Sequence, residues 1–218
     1  MPNPIVSKLL LPAADTNGIA HSQTPGGAGN LTLNGDLVSG GVANLVVAQR
    51  VAIHSAADDT GITWTVTGTD RFGNAQTDSF AGVNNGYAYS ALDFLTVTQI
   101  AISGAAAGAV TAGTNGKGST QWFAPTQLIT PFNASAAVVV SGTVNYTVEY
   151  TYDDPNRLIA PNSISPPTVW AISALSSKSA NTDAAVTAPI AAIRCTVNSV
   201  TSPGYVVFYF YQSGWKQG

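Results

Sequence analysis

Apolar and polar positions alternate with a period of two along much of this chain, and that period predicts strands. In ITWTVTGTDRFGNAQTDSF, residues 62–80, Trp64 and Val66 share one face while Thr63, Thr65 and Thr67 share the other. The DRFGN at its centre carries Gly73 and Asn74, which tolerate positive φ, so the segment predicts a β-hairpin. In ANLVVAQRVAIHS, Leu45, Val47, Val51 and Ile53 fall on one face, with Arg50 and His54 opposite. NYTVEYTYDDP alternates Tyr146, Val148, Tyr150 and Tyr152 with Thr147, Glu149 and Thr151, which sets Glu149 on a wet face. Pro155 then ends the strand, because proline withholds a ladder donor.

Two stretches depart from alternation. YVVFYFY, Tyr205 to Tyr211, is apolar throughout and predicts a strand covered on both faces. Residues 1–30 are rich in Pro, Gly, Asn and Ala, and the apolar cluster Ile5, Val6, Leu9, Leu10 and Leu11 lies between prolines. They read as an extended N-terminal arm that orders on a partner. No helix of ten residues or more is predicted. The expected fold is all-β, an antiparallel β-sandwich, jelly-roll-like or immunoglobulin-like. Its expected organisation is an arm over 1–30, a sandwich over 31–155, and a proline-rich connector with a C-terminal hairpin over 156–218. PIAAIRCTVNSVTSPGYVVFYFY, 189–211, loosely echoes PFNASAAVVVSGTVNYTVEYTY, 131–152, as two hairpins of similar composition would.

Charge changes the picture. Eight Lys and Arg and eleven Asp and Glu make up only 9% of 218 residues, where a soluble domain has roughly 25%. Between Phe94 and Val148 the only charged residue is Lys117. A stretch this poor in charge predicts that much of it is buried, in this subunit or against another. The net charge of −3 and the scattered cations exclude a phosphate-binding stripe, so no nucleic acid is expected. No apolar run is long enough for a signal peptide or a membrane helix, so no membrane partner is expected and synthesis is placed in the cytoplasm.

Candidate chemistry is sparse. AGTNGKGST around Lys117 lacks phosphate-loop spacing, with Thr111 and Gly118 where glycine and Ser or Thr belong. Asp58-Asp59 and Asp153-Asp154 sit in turns, where adjacent carboxylates diverge. His21 and His54 have no ligand spacing, and Cys195 shares a strand face with Ile193 and Val197 as a small core residue. Asn30, Asn133 and Asn145 open chance glycosylation sequons. No catalytic, metal or cofactor site is assigned, and the chain is not expected to be an enzyme.

AADTNGIAHSQTPGGAGNLTLNG, GITWTVTGTDRFGNAQTD, VVVSGTVNYTVEYTYDDPN and AAIRCTVNSVTSPGYVVFYFYQSG together resemble small β-rich virion structural proteins of tailed bacteriophages. The resemblance implies a non-enzymatic, homo-oligomeric virion component, a capsid decoration or cement protein whose partners are the major capsid protein or other virion proteins. A tail or head-to-tail connector component is the alternative within the same class. A glycan-binding module is the alternative outside it, with Trp64, Trp122, Trp170 or Trp215 as stacking platforms. The expected contact residues are Ile5, Val6, Leu9, Leu10 and Leu11 in the arm, and Tyr205, Val207, Phe208, Tyr209, Phe210 and Tyr211 in the last strand.

Overall fold

The computed structural model describes residues 4–127, 132–159 and 166–213; Trp215 and the middle of the proline-rich connector lie outside them. The early strands are β1 (Ile5–Leu10), β2 (Asp15–Gln23), β3 (Gly29–Asn30), β4 (Val38–Ser39), β5 (Val42–Asp58), β6 (Thr63–Thr69), β7 (Ala75–Ala81), β8 (Asn84–Ile102) and β9 (Val110–Thr114). They are followed by β10 (Gly118–Ser119), β11 (Asn133–Thr151), the one-turn helix α1 (Pro155–Ile159), β12 (Trp170–Ala171), β13 (Thr182–Val186) and β14 (Ala192–Ser213). The strands build two antiparallel sheets, so the expected all-β antiparallel class holds.

The division along the chain differs from the expected one. One compact unit comprises 4–11, 117–159 and 167–213, and the other comprises 12–116 with Pro166. The expected arm is divided between them as strands. β1 pairs with β14 from Ile5↔Phe210 to Leu10↔Tyr205, and β2 pairs irregularly with β9. The reason is alternation within the short apolar cluster: Leu9 and Leu11 bury while Val6 and Leu10 stay outside. Ile19 and Ala20 of β2 are fully buried as well.

The unit of residues 12–116 has strand order β2-β9-β5-β8-β6-β7, with β3 on β8 and β4 on β5. Its core gathers Ile19, Leu31, Leu45, Val51, Ile53, Trp64, Val66, Phe94, Val97, Ile100 and Val110. The hairpin of β6 and β7 forms about the expected turn, paired from Thr63↔Ala81 through Thr69↔Ala75. Asp70 closes its turn by accepting from the N–H groups of Phe72 and Asn74 at 2.8 and 2.9 Å, with Gly73 at φ 84°. At Gly68 a side chain is impossible, because the carbonyl of Thr96 occupies the place of a Cβ.

In the other unit, the two segments whose sequences echo each other are partners. β11 and β14 pair antiparallel from Asn133↔Ser213 to Thr151↔Ala192. β1 and β10 flank β14, and β12 and β13 flank β11. Two register shifts interrupt the pair, one beside Asn145 and one where Gly142, at φ 76°, faces the excursion through Pro203 and Gly204. Across them the larger buried apolar side chains of β14 pass from odd positions (Ile193, Cys195, Val197), where Ala192, Arg194 and Thr196 are buried on the other face too, to even ones (Val206, Phe208, Phe210).

Candidate interaction faces

YVVFYFY is therefore an alternating strand. Phe208 and Phe210 are buried, Tyr205 and Val207 are half-buried, and Tyr209 and Tyr211 are exposed, so the described residues cover one face only. Two-sided burial was expected because tyrosine reads as apolar; register puts each phenol on the outer side. Of the other expected contact residues, Leu9 and Leu11 are core, Ile5 is half-buried, and Val6 and Leu10 are exposed. The pairings Val6↔Tyr209, Lys8↔Val207 and Leu10↔Tyr205 place three β1 residues beside the outer set of β14. Lys8 spreads its ammonium 4.0 Å above the Tyr205 ring. On the far side, Ser135, Ala137, Val139 and Ser141 of β11 face Tyr211, Tyr209, Val207 and Tyr205. The outcome is an apolar, aromatic sheet face with one cation near its edge.

A second face, in the unit of residues 12–116, has a different chemistry. Thr65 and Thr67 of β6 stand between Ser79 and Thr77 of β7 and Ala101 and Gln99 of β8. The hydroxyls satisfy one another across the strands: Thr65 to Ser79 at 2.9 Å, Thr67 to Thr77 at 3.4 Å, and Thr69 to Thr96 at 2.7 Å. Gln99 donates to Asn30 Oδ1 at 2.7 Å. These side chains are exposed or half-buried, and none carries a charge. Threonine suits the place because it is a strong strand former and its cross-strand hydroxyl pairs need no counter-ion.

Several charged groups serve the fold. Asp93 is flanked by Arg50 and Arg71 at 3.0 and 3.5 Å, and Arg50 also donates to the Ser90 carbonyl at 2.7 Å. Asp78 accepts from the N–H of Leu92 at 3.0 Å, and Gln76 donates to the Asp93 carbonyl at 2.7 Å, so this network pins the irregular middle of β8. Asp58 accepts from the hydroxyl and N–H of Thr60; these bonds hold its carboxyl below the ordinary range. Asp154 accepts from Asn156 N–H two residues on, the turn role expected of it, whereas buried Asp59 accepts from Ala107 N–H and Asp153 from Thr168 N–H, so these two tie distant segments together instead of capping their own turns. Glu149 departs from expectation. It lies partly buried against Arg194, whose guanidinium stacks 4.4 Å from the ring centre of Trp122. Burial pushes the Cys195 thiol up, away from reactivity.

His21 lies 3.9 Å from Asp36 at the surface, and His54 packs on Tyr87 at 4.7 Å. Among the described residues no group of three or more His, Cys, Asp or Glu could hold a metal ion, and no helix is long and apolar enough to cross a membrane. Trp64 and Trp122 are buried. Trp170 is exposed and stacks on Tyr150 at 6.1 Å, with Tyr152 edge-on at 5.2 Å. That trio was not readable from spacing, because β12 contributes only two residues and finds its partner, Tyr150, through the sheet register.

No family model matches the chain, and no curated protein does. Among solved structures, the major capsid protein P2 from Bacteriophage PM2 is similar at 10% identity and a TM-score of 0.23, over 98% of this chain and 99% of that one. Likeness at that level assigns neither fold nor role.

Proposed function

We propose that the protein is a structural component of a tailed-phage virion, a decoration protein that binds the assembled capsid through neutral sheet surface. The observation that carries the reading is the hydroxyl and amide face of Asn30, Thr65, Thr67, Thr77, Ser79 and Gln99, which presents hydrogen-bonding groups and no charge. Subunit contacts deplete Lys, Glu and Asp at their centres, and such a face meets that requirement. The resemblance of the sequence to small phage virion proteins points the same way. A subunit that binds only the assembled shell stabilises it by RT ln(1 + [L]/Kd) at each site, which accounts for a role without any reaction. A tail or head-to-tail position would use the same chemistry.

The test is binding of purified protein to assembled, undecorated heads. Thr65→Lys and Thr67→Lys should keep the native unfolding temperature and lose binding, since each places an unpaired cation in the contact. Native-like binding by both variants would remove the hydroxyl face from the account. The exposed stack of Trp170, Tyr150 and Tyr152 favours a second reading, glycan binding by ring stacking. Loss of binding to cell-surface polysaccharide in Trp170→Ala, with head binding absent in the wild type, would select it.

A further inference from the structure

The apolar face of β1, β14, β11 and β13 has a charge pattern that identifies what covers it. Val6, Leu10, Tyr209 and Tyr211 are 54, 48, 36 and 39% exposed, and Val139 is exposed beside them. Register orders this face into rows that cross the strands. One row runs Val6, Tyr209, Ala137, Asp183, and the next along the strands begins Lys8, Val207, Val139. Its two charges therefore stand at opposite edges, Lys8 on β1 and Asp183 on β13, in adjacent rows with apolar and aromatic side chains between them. Asp183 is exposed and makes no salt bridge among the described residues.

We propose that this face is a two-fold interface between copies of this chain, packed sheet on sheet, with Lys8 of each copy opposite Asp183 of its partner. A two-fold axis running along the strands, midway between two facing sheets, exchanges left and right edges and keeps the rows in place. Lys8 then comes within one row of the partner's Asp183, twice per dimer, and the aromatic centre meets itself. Facing sheets about 10 Å apart leave room for interleaved Tyr and Val side chains. An isologous contact demands this kind of self-complementarity. A second copy of this chain supplies, at the positions the axis requires, both the anion and the cation that this face leaves to be matched. The inference does not depend on the virion reading, because a free dimer forms or fails to form without any shell.

Charge reversal in the full chain tests it by sedimentation. Wild type should dimerise. Lys8→Glu and Asp183→Lys should each weaken the dimer by about tenfold or more, since each creates two like-charge contacts. The double variant should return to within about threefold of wild type, and an equimolar mixture of the two single variants should form heterodimers, because both crossed pairs are then attractive. Both residues are on the surface, so unchanged melting temperatures at concentrations low enough that every variant is monomeric establish that folding is intact, since dimerisation itself raises the melting temperature at higher concentration. A wild type that stays monomeric overturns the proposal and leaves the face to a different virion protein. A dimer insensitive to both reversals, or a double variant no better than the singles, overturns the two-fold pairing.

Discussion

Arg194 donates from Nε to one oxygen of Glu149 at 2.8 Å, and its Nη2 stands 2.8 Å from the same oxygen as an ion pair, across the β11–β14 pair. The same oxygen accepts from the hydroxyl of Thr196 at 2.8 Å. Two hydrogen bonds and an ion pair on one carboxylate oxygen beside a buried guanidinium make this the most concentrated charge pairing in its unit. Glu149→Ala should cost about 3 kcal/mol or more in denaturant unfolding, because it leaves Arg194 buried without its anion. The double change Glu149→Leu with Arg194→Met should recover most of that loss, since an apolar pair has no desolvation to offset. Equal destabilisation by the single and double changes would show that packing on Trp122 matters more than the charge pair.

Cys195 gives a signal at alkaline pH. Its folded thiol titrates above the unfolded one because burial disfavours the thiolate. The associated stability is whole below the unfolded value of about 8.5, and it falls by about 1.4 kcal/mol per pH unit above that as only the unfolded chain loses the proton. The difference between wild type and Cys195→Ala should therefore shrink or reverse between neutral and alkaline pH, and a thiol reagent should label the protein only after unfolding. Rapid labelling of the native protein would contradict the burial.

Val46 is 72% exposed at φ 64°, a left-handed conformation that a β-branched side chain rarely adopts. Its N–H is held by Asn44 Oδ1 at 2.9 Å, and β5 changes register with β8 just here. Val46→Gly should raise stability by roughly 0.5 to 1 kcal/mol, relief of strain exceeding the entropy lost by glycine. A destabilised variant would mean that the valine makes a contact worth more than its strain.

The first strand supports the fold. Removing residues 2–11 deletes the partner of β14 over Tyr205 to Phe210 and takes out Leu9 and Leu11, both core. Burial of two leucines is worth about 3 to 6 kcal/mol, so the truncated chain should unfold at much lower denaturant or fail to fold. Unfolding indistinguishable from wild type would restore the picture of an independent arm.

These cases show how far the sequence could be read. The hairpin at 62–80 was legible because Trp64 and Val66 alternate with threonines and the turn residues sit between two clean runs. The face of YVVFYFY was not, because tyrosine suits either side of a sheet, and only pairing with β1 and β11 decides which rings bury. The N-terminal strands were hidden by proline and glycine, and their stability comes from partners about a hundred or two hundred residues away, Val110–Thr114 and Tyr205–Phe210. Glu149 looked wet by parity, but Arg194 lies opposite it in the register and draws it in. Of the contact candidates, alternation within IVSKLL would have separated Val6 and Leu10 from Leu9, whereas Asp183 became visible only through the rows of the sheet.

Quantitative mass spectrometry of purified virions, giving copies of this chain relative to the major capsid protein, tests the central claim most directly. A decorating subunit repeats with the lattice, so the account predicts on the order of hundreds of copies per particle, retained through density-gradient purification. A dozen or fewer copies would move the protein to the head-to-tail region or a fibre, and its absence from the particle would contradict the virion role itself.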